Sequence, residues 1–347
     1  MDPRITSVFL FSLGLGTMLT FISSHWMMAW MGLEVNTIAM MPLMAQQYHP
    51  RAIEATIKYF LVQVTAAIML LFASMLNIWA SGEWAIDCLS YQPSLVLMTM
   101  ALALKLGLAP MHFWLPSVLQ GLNLTTGLIL STWQKLAPFA LFIQIAPSLN
   151  PLLLTALGLL STLIGGWAGL NQTQLRKILA YSSIAHLGWM IIILQLAPHL
   201  TIISLVIYII MTSATFSTFK FLNTTKINTL SQTWSKTPLI ASFTALLLLS
   251  LGGLPPLTGF LPKWLILQEL TKQFPLTATI IALSALLSLY FYLRLSHTMT
   301  LTVFPSTNNT TTHWRLKYTQ DMTWLSVIMV MTMMMLPATR MIQTLAQ

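Results

Sequence analysis

Uninterrupted apolar runs of about twenty residues follow one another along almost the whole chain, and no other feature constrains the fold as much. A soluble domain carries roughly a quarter of its residues as charges, which coat its surface. Of these 347 residues, 56% are hydrophobic and 7% are charged. So few charges cannot cover a globule, and the chain reads as an integral membrane protein. Its runs do not alternate with period two, so they predict helices and not the strands of a barrel. About eleven spans satisfy length and apolarity. They lie near 5–23, 25–45, 57–80, 94–114, 124–145, 150–170, 176–196, 200–222, 238–262, 275–301 and 323–342. The fold class is all-α and polytopic, without a soluble appendage.

The connecting segments set topology. With eleven crossings, the amino-terminal side holds Arg4, Arg51, Lys58, Arg176, Lys177, Lys226, Lys236, Arg315 and Lys317. The opposite side holds the cations Lys272 and Arg340, with Glu83 and Asp87. The positive-inside rule puts the crowded side, and the amino terminus, in the cytoplasm or matrix. The carboxyl terminus faces the other compartment. The net charge of +9 does not point to nucleic acid, because the cations are scattered and no basic stripe is interleaved with aromatics. One cysteine, Cys88, excludes a thiolate iron–sulfur or zinc site and an internal disulfide. No His–carboxylate pair has metal-ligand spacing, so no metal site is expected. A dinucleotide fingerprint, a phosphate loop and a haem-attachment motif are also missing, so no cofactor site is expected in this chain.

Four charges stand out within the spans and away from their ends, the last of them at a break: Glu34, Lys105, Lys135 and Lys263. A charge near the bilayer centre costs about 2.5–3.5 kcal/mol on the insertion scale, so such residues are functional by default. The plainer reading, a long side chain snorkelling to the interface, suits Lys58, Lys220 and Lys272, which lie near span ends. Glu54 and Lys58 also make an ordinary i,i+4 surface pair. Glu34 is the carboxylate inside a span, and Lys105 is its expected partner. A pair 4 Å apart at an effective dielectric of 20 is worth about 4 kcal/mol. A lysine whose hold on its proton depends on a movable partner suits a proton relay. Moving one proton across 100 mV costs about 2.3 kcal/mol, a comparable energy. His112 and His186, in APMHFWLP and AYSSIAHLGWM, are candidate relays, weighed against the alternative of hydrogen-bonded core histidines.

Two spans are broken. Gly107, Pro110 and Pro116 interrupt the fourth. The denser SLGGLPPLTGFLPKW, with Pro255, Pro256 and Pro262, interrupts the ninth. Proline removes a backbone donor and frees a carbonyl. Each break carries a lysine, Lys105 or Lys263. The two spans are five helices apart, so they run in opposite directions. Discontinuous helices at matching positions of inverted repeats line ion paths; unrelated proline kinks are the alternative.

The segments LKLGLAPMHFWLP, QGLNLTTGLILSTWQKLAPFAL, GLNQTQLRKILAYSSIAHLGWM and LLSLGGLPPLTGFLPKW resemble the mitochondrially encoded subunit 2 family of respiratory complex I, nearly end to end. The wider group is that of the antiporter-like subunits. The resemblance implies two inverted five-helix repeats, each with a broken helix, and a carboxyl-terminal helix. Within one domain, 1–347, the repeats would cover about 1–146 and 147–303, and the carboxyl-terminal loop and helix about 304–347. It implies proton translocation by Glu34, Lys105, Lys135 and Lys263, with Glu34 paired to Lys105, Lys135 as the central relay and Lys263 as the terminal lysine. His186 matches a polar position on the central axis. NADH, FMN, iron–sulfur clusters and ubiquinone would serve other subunits. The partners implied are other membrane-arm and accessory subunits, with lipids such as cardiolipin as candidate neighbours, in the mitochondrial inner membrane. The amino terminus would lie in the matrix and the carboxyl terminus in the intermembrane space. Ser117 to Asn123 lacks the acidic residues that many members carry there. Two other functions remain open on the sequence: a stand-alone cation/proton antiporter, and a structural scaffold whose charges only lock helices together.

Overall fold

A computed structural model describes residues 3–46, 49–300 and 323–334. The described chain is helical, with two isolated backbone bridges in place of a sheet. It forms two compact units, 1–161 and 162–347, with the boundary inside one helix. Unit 1 contains α1 (Pro3–Ile22), α2 (Trp26–Met44), α3 (Pro50–Ser81), α4 (Gln92–Leu106), α5 (Trp114–Gly121), α6 (Leu124–Ser131) and α7 (Trp133–Ile145). The helix α8 (Pro151–Gly169) carries the boundary. Unit 2 continues with α9 (Leu175–Ile193), α10 (Pro198–Phe221), the short α11 (Ile227–Ser231) and α12 (Thr233–Lys236), then α13 (Pro238–Gly252), α14 (Phe260–Gln273), α15 (Pro275–Thr300) and α16 (Thr323–Met334). The expected segment 304–321 and the end of the last span, with Arg315, Lys317 and Arg340, lie outside the described residues.

Among the described residues, six segments are long and apolar enough to cross a membrane, and α4, α13 and α16 are shorter apolar helices. Their outer faces are apolar: Ile22, Trp79, Phe113, Leu152 and Trp167 are among the most exposed side chains. Lipid provides no hydrophobic drive between helices, so close packing must hold them. In unit 1, α1 and α2 cross at Gly16 and Gly32. A Cβ on either would come within 2.9 Å of the other's carbonyl oxygen. That crossing buries the next turn of α2 and presents Asn36 inward. In unit 2, nearly all of α9 from Leu179 to Ile193 is buried, Ser182 and Ser183 included.

The two breaks share one geometry. Both α4 and α13 are 15 residues long and end at a glycine in the left-handed region, Gly107 (φ 77°) and Gly253 (φ 81°). Each glycine N–H bonds two carbonyls of the last turn. Non-helical stretches 107–113 and 253–259 follow, and α5 and α14 resume. Aligned from the glycines, GLAPMHFWLP faces GLPPLTGFLP, so Pro110 matches Pro256 and Pro116 matches Pro262. Pro110, Pro255 and Pro256 lie in the breaks, as expected. Pro262 does not break a helix: it is the third residue of α14, where no N–H is needed.

The fifth span contains an interruption that the apolar pattern does not reveal. Thr132 (φ −112°, ψ −69°) separates α6 from α7, and its hydroxyl bonds the Leu128 carbonyl at 2.8 Å. Such back-bonding bends helices.

Candidate functional site

Lys105 lies in the last turn of α4 and is 6% exposed. The negative end of a helix is a favourable place for a cation. The break would leave carbonyls unpaired there, and side chains occupy them: Trp114 Nε1 donates to the Leu104 carbonyl at 3.0 Å, and Gln63 Nε2 to that of Lys105 at 3.4 Å. The backbone carrying Lys105 is therefore pinned, while its Nζ has no hydrogen-bond partner.

Lys135, on the first turn of α7 and 4% exposed, lines the same cavity of about 20 Å³ as Lys105. Asn36, Tyr59, Gln63 and Gln134 also line it. Gln134 Nε2 donates to the Asn36 carbonyl at 3.3 Å, and the Tyr59 hydroxyl donates to Gln134 Oε1 at 3.4 Å. The Asn36 side-chain amide, buried beside Gly16, has no partner on either atom. A volume of this size accommodates about one water, which needs two to four polar partners; the lining supplies them.

Glu34 is placed differently from the expectation. No ion pair within 4 Å joins it to Lys105; among the described residues the pairs at that range are Lys58–Glu54 and Lys272–Glu269, both at the surface. The Thr37 hydroxyl, one turn along α2, donates to the Glu34 backbone carbonyl at 2.8 Å and lies 3.2 Å from the half-buried Glu34 carboxylate. Glu34 itself is not among the residues lining the Lys105 cavity, although its neighbours Leu33 and Thr37 are. Lys58, Lys220 and Lys272 are exposed, as their positions near span ends suggested. His112 is buried in the break with its ring against Phe113, centroids 4.3 Å apart. It is not among the residues lining the Lys105 cavity.

In unit 2, Lys263 lies beyond the break, on the first turn of α14, and is 9% exposed. A helix amino terminus disfavours a cation. Its Nζ instead reaches the carboxyl end of α13 and donates to the Gly252 carbonyl at 2.7 Å. Gly253 makes room for this: a Cβ there would come within 2.9 Å of Nζ. Lys263 lines a cavity of about 20 Å³ with His186, Ser204, Tyr208 and Met211. The rings of His186 and Tyr208 are 5.7 Å apart. Thus Lys105 and Lys135 come together in unit 1, and Lys263 and His186 in unit 2. In the aligned breaks Lys263 faces Ser117, and Lys105 faces Leu251; the two lysines are not equivalent positions of a repeat.

Asn36, Gln134, Tyr59 and Tyr208 were not singled out from the sequence. Asn36 and Gln134 could have been: each is a polar side chain in an apolar run, and each lies within two residues of a buried charge.

A polytopic helical membrane protein with a buried lysine beside a helix break in each of its two units fits the antiporter-like class. Two family models cover the chain: NADH:quinone oxidoreductase/Mrp antiporter over residues 23–288, and NADH dehydrogenase subunit 2 C-terminus over 289–343. The chain is 66% identical to NADH-ubiquinone oxidoreductase chain 2 of Formosania lacustris and 65% identical to that of Salmo salar, in both cases over 99% of each chain. Among solved structures it is similar to a chain of respiratory complex I from Thermus thermophilus with bound Aureothin, at 25% identity and a TM-score of 0.83, covering 98% of this chain and 81% of that one. The chain belongs to the NADH-ubiquinone oxidoreductase chain 2 family.

Proposed function

We propose that this chain is a core membrane subunit of respiratory complex I that carries protons across the mitochondrial inner membrane, driven by NADH oxidation and ubiquinone reduction in other subunits. The chain holds no redox centre of its own in this reading; NADH, FMN, iron–sulfur clusters and ubiquinone belong to its partners, the other membrane-arm and accessory subunits. Its apolar outer surface also suits lipids such as cardiolipin.

The observation that carries the proton role is the cavity shared by Lys105 and Lys135. Two ammonium groups in one low-dielectric space repel, by about 4 kcal/mol at 4 Å and an effective dielectric of 20. Such a cavity favours one proton over two, and a water-sized volume with amide and hydroxyl lining gives that proton a way across. In this reading the polar lining of the shared cavity serves proton exchange between the two lysines, a feature a pure scaffold would not need. In our reading Glu34 biases Lys105 from a distance, the proton passes to Lys135, and Lys263 with His186 forms the terminal station.

Joining α4 to α5, α6 to α7 and α13 to α14 across their interruptions gives about eleven crossings. Local contacts support that count. The bridge between His25 and Ala85 pairs two connections it puts on one side, and the bridge between Gln174 and Lys226 pairs two on the other. Arg294 also donates to the Leu170 carbonyl at 2.7 Å, joining two ends on one side. The positively charged connections favour an amino terminus in the matrix and a carboxyl terminus in the intermembrane space.

Replacing Lys105 by Met in assembled complex tests the relay. Pumped protons per electron fall, or turnover stops. Wild-type pumping with intact assembly removes Lys105 from the path. Na⁺/H⁺ exchange by the purified single chain in liposomes would favour a stand-alone antiporter.

A further inference from the structure

We infer that the carboxyl-terminal helix α16 is a clasp on the second break, and that Thr258 is the positioning residue through which it fixes Lys263. The Thr258 hydroxyl donates to the Thr332 carbonyl at 2.5 Å, and both residues are buried, at 2% and 1% exposure. Thr332 lies on α16, and its carbonyl is the acceptor that joins this helix to the break. Pro255 and Pro256 bring no N–H to the break, so it depends on side-chain anchors. In unit 1 the side chains of Trp114 and Gln63 bond carbonyls of the helix before the break. In unit 2 the break itself is bonded to α16 through Thr258.

The clasp adjoins the lysine. Thr258 and Thr332 line a cavity of about 10 Å³ whose wall includes Ile207 and Met211. The same two residues line the Lys263 cavity. The methyl of Met211 packs against Gly259, 2.8 Å from where a Cβ would stand. Gly259 also lies against the Ser250 carbonyl, and Ser250 accepts the Gly253 N–H at 2.9 Å. A shift of α16 therefore moves Thr258, then the Gly259–Ser250 contact, then Gly253 and the Gly252 carbonyl that holds Lys263. A small shift in a packed bundle selects between discrete arrangements. α16 is held by a separate apolar cluster, in which Ile328 and Met329 pack on Ala214, Ile240 and Leu247. Thr258 can thus be altered without removing the helix's main support.

This inference rests on Lys263 being a proton station. The test is Thr258→Val in the assembled complex, with Thr258→Ser as the rescue and Lys263→Met as the control. T258V is expected to slow turnover coupled to pumping about threefold, the scale of one interhelical hydrogen bond, and to displace its pH profile. T258S restores both. An assembled T258V complex with wild-type coupled turnover and pH profile overturns the clasp. If K263M also pumps normally, the relay reading of Lys263 has failed; if K263M is defective, only the clasp has failed. Hydrogen exchange on the unaltered complex serves if T258V does not assemble. Backbone amides of 257–261 and the last turn of α16 are expected to open together, and opening of the last turn of α16 with the break fully protected overturns the clasp.

Discussion

The two units use one backbone device in opposite ways. Each has a 15-residue helix ended by a left-handed glycine. In unit 1 the lysine precedes the break, at the favourable end of its own helix, and its Nζ faces a polar cavity without a bond. In unit 2 the lysine follows the break, at the unfavourable end of the next helix, and is tied to the Gly252 carbonyl. The first arrangement suits a proton that must leave easily; the second suits one that leaves only when the break rearranges. Unit 1 also brings a second lysine and a distant carboxylate, where unit 2 has His186 and Tyr208. A helix break is therefore an adaptable site, and the side of it that carries the lysine decides how tightly the ammonium is held.

The comparison can be broken most severely at Lys135. Lys135→Met leaves Lys105 with no proton acceptor across its cavity, and turnover coupled to pumping is expected to fall on the order of 100-fold, the scale of a lost proton-transfer group. Near-normal coupled turnover would mean that the shared cavity is not a path.

The glycines come next. Gly107→Ala and Gly253→Ala carry the same cost of a left-handed residue, about 1–2 kcal/mol. A Cβ at Gly107 meets Leu115 at 3.2 Å, whereas at Gly253 it meets the Lys263 side chain at 2.8 Å. G253A is expected to depress pumping roughly tenfold and G107A distinctly less, at similar assembly. Equal effects on proton yield would show that the Lys263–Gly252 bond is incidental.

Glu34 should matter less than the lysines, because it is out of contact with Lys105. A carboxylate acting beyond contact is worth roughly 1 kcal/mol at an effective dielectric of 20, so Glu34→Gln is expected to slow coupled turnover about fivefold. A loss as deep as that of Lys105→Met would indicate that the pair closes during turnover. Smallest is Glu54→Gln, which removes an exposed, solvent-screened i,i+4 pair of little weight and should leave assembly and pumping unchanged within error.

Much of this organisation is legible in the residues. The lysines stand out because a charge inside an apolar run is expensive, and the breaks stand out because Gly and Pro remove helical hydrogen bonds. The separation of Glu34 from Lys105 is not legible there: charge type shows which residues attract, but not how the crossing of their helices spaces them. The kink at Thr132 carries no Gly or Pro signal, only a hydroxyl that turns back on its own helix. Pro262 looked like a breaker because proline's effect depends on its place in a helix turn, which only the structure supplies. Asn36 was hidden for a related reason, since its position depends on the close crossing of Gly16 and Gly32.

The central claim is that buried lysines at the breaks of both units serve one proton path. It is tested most directly by proton yield per electron, and by turnover, in complex carrying Lys105→Met, Lys263→Met or both, reconstituted in liposomes. Stations in series are non-additive. The account predicts that each single variant is defective and that the double variant is about as defective as the worse single one. Wild-type yield in either assembled single variant, or a double-variant defect equal to the product of two independent losses, would contradict it.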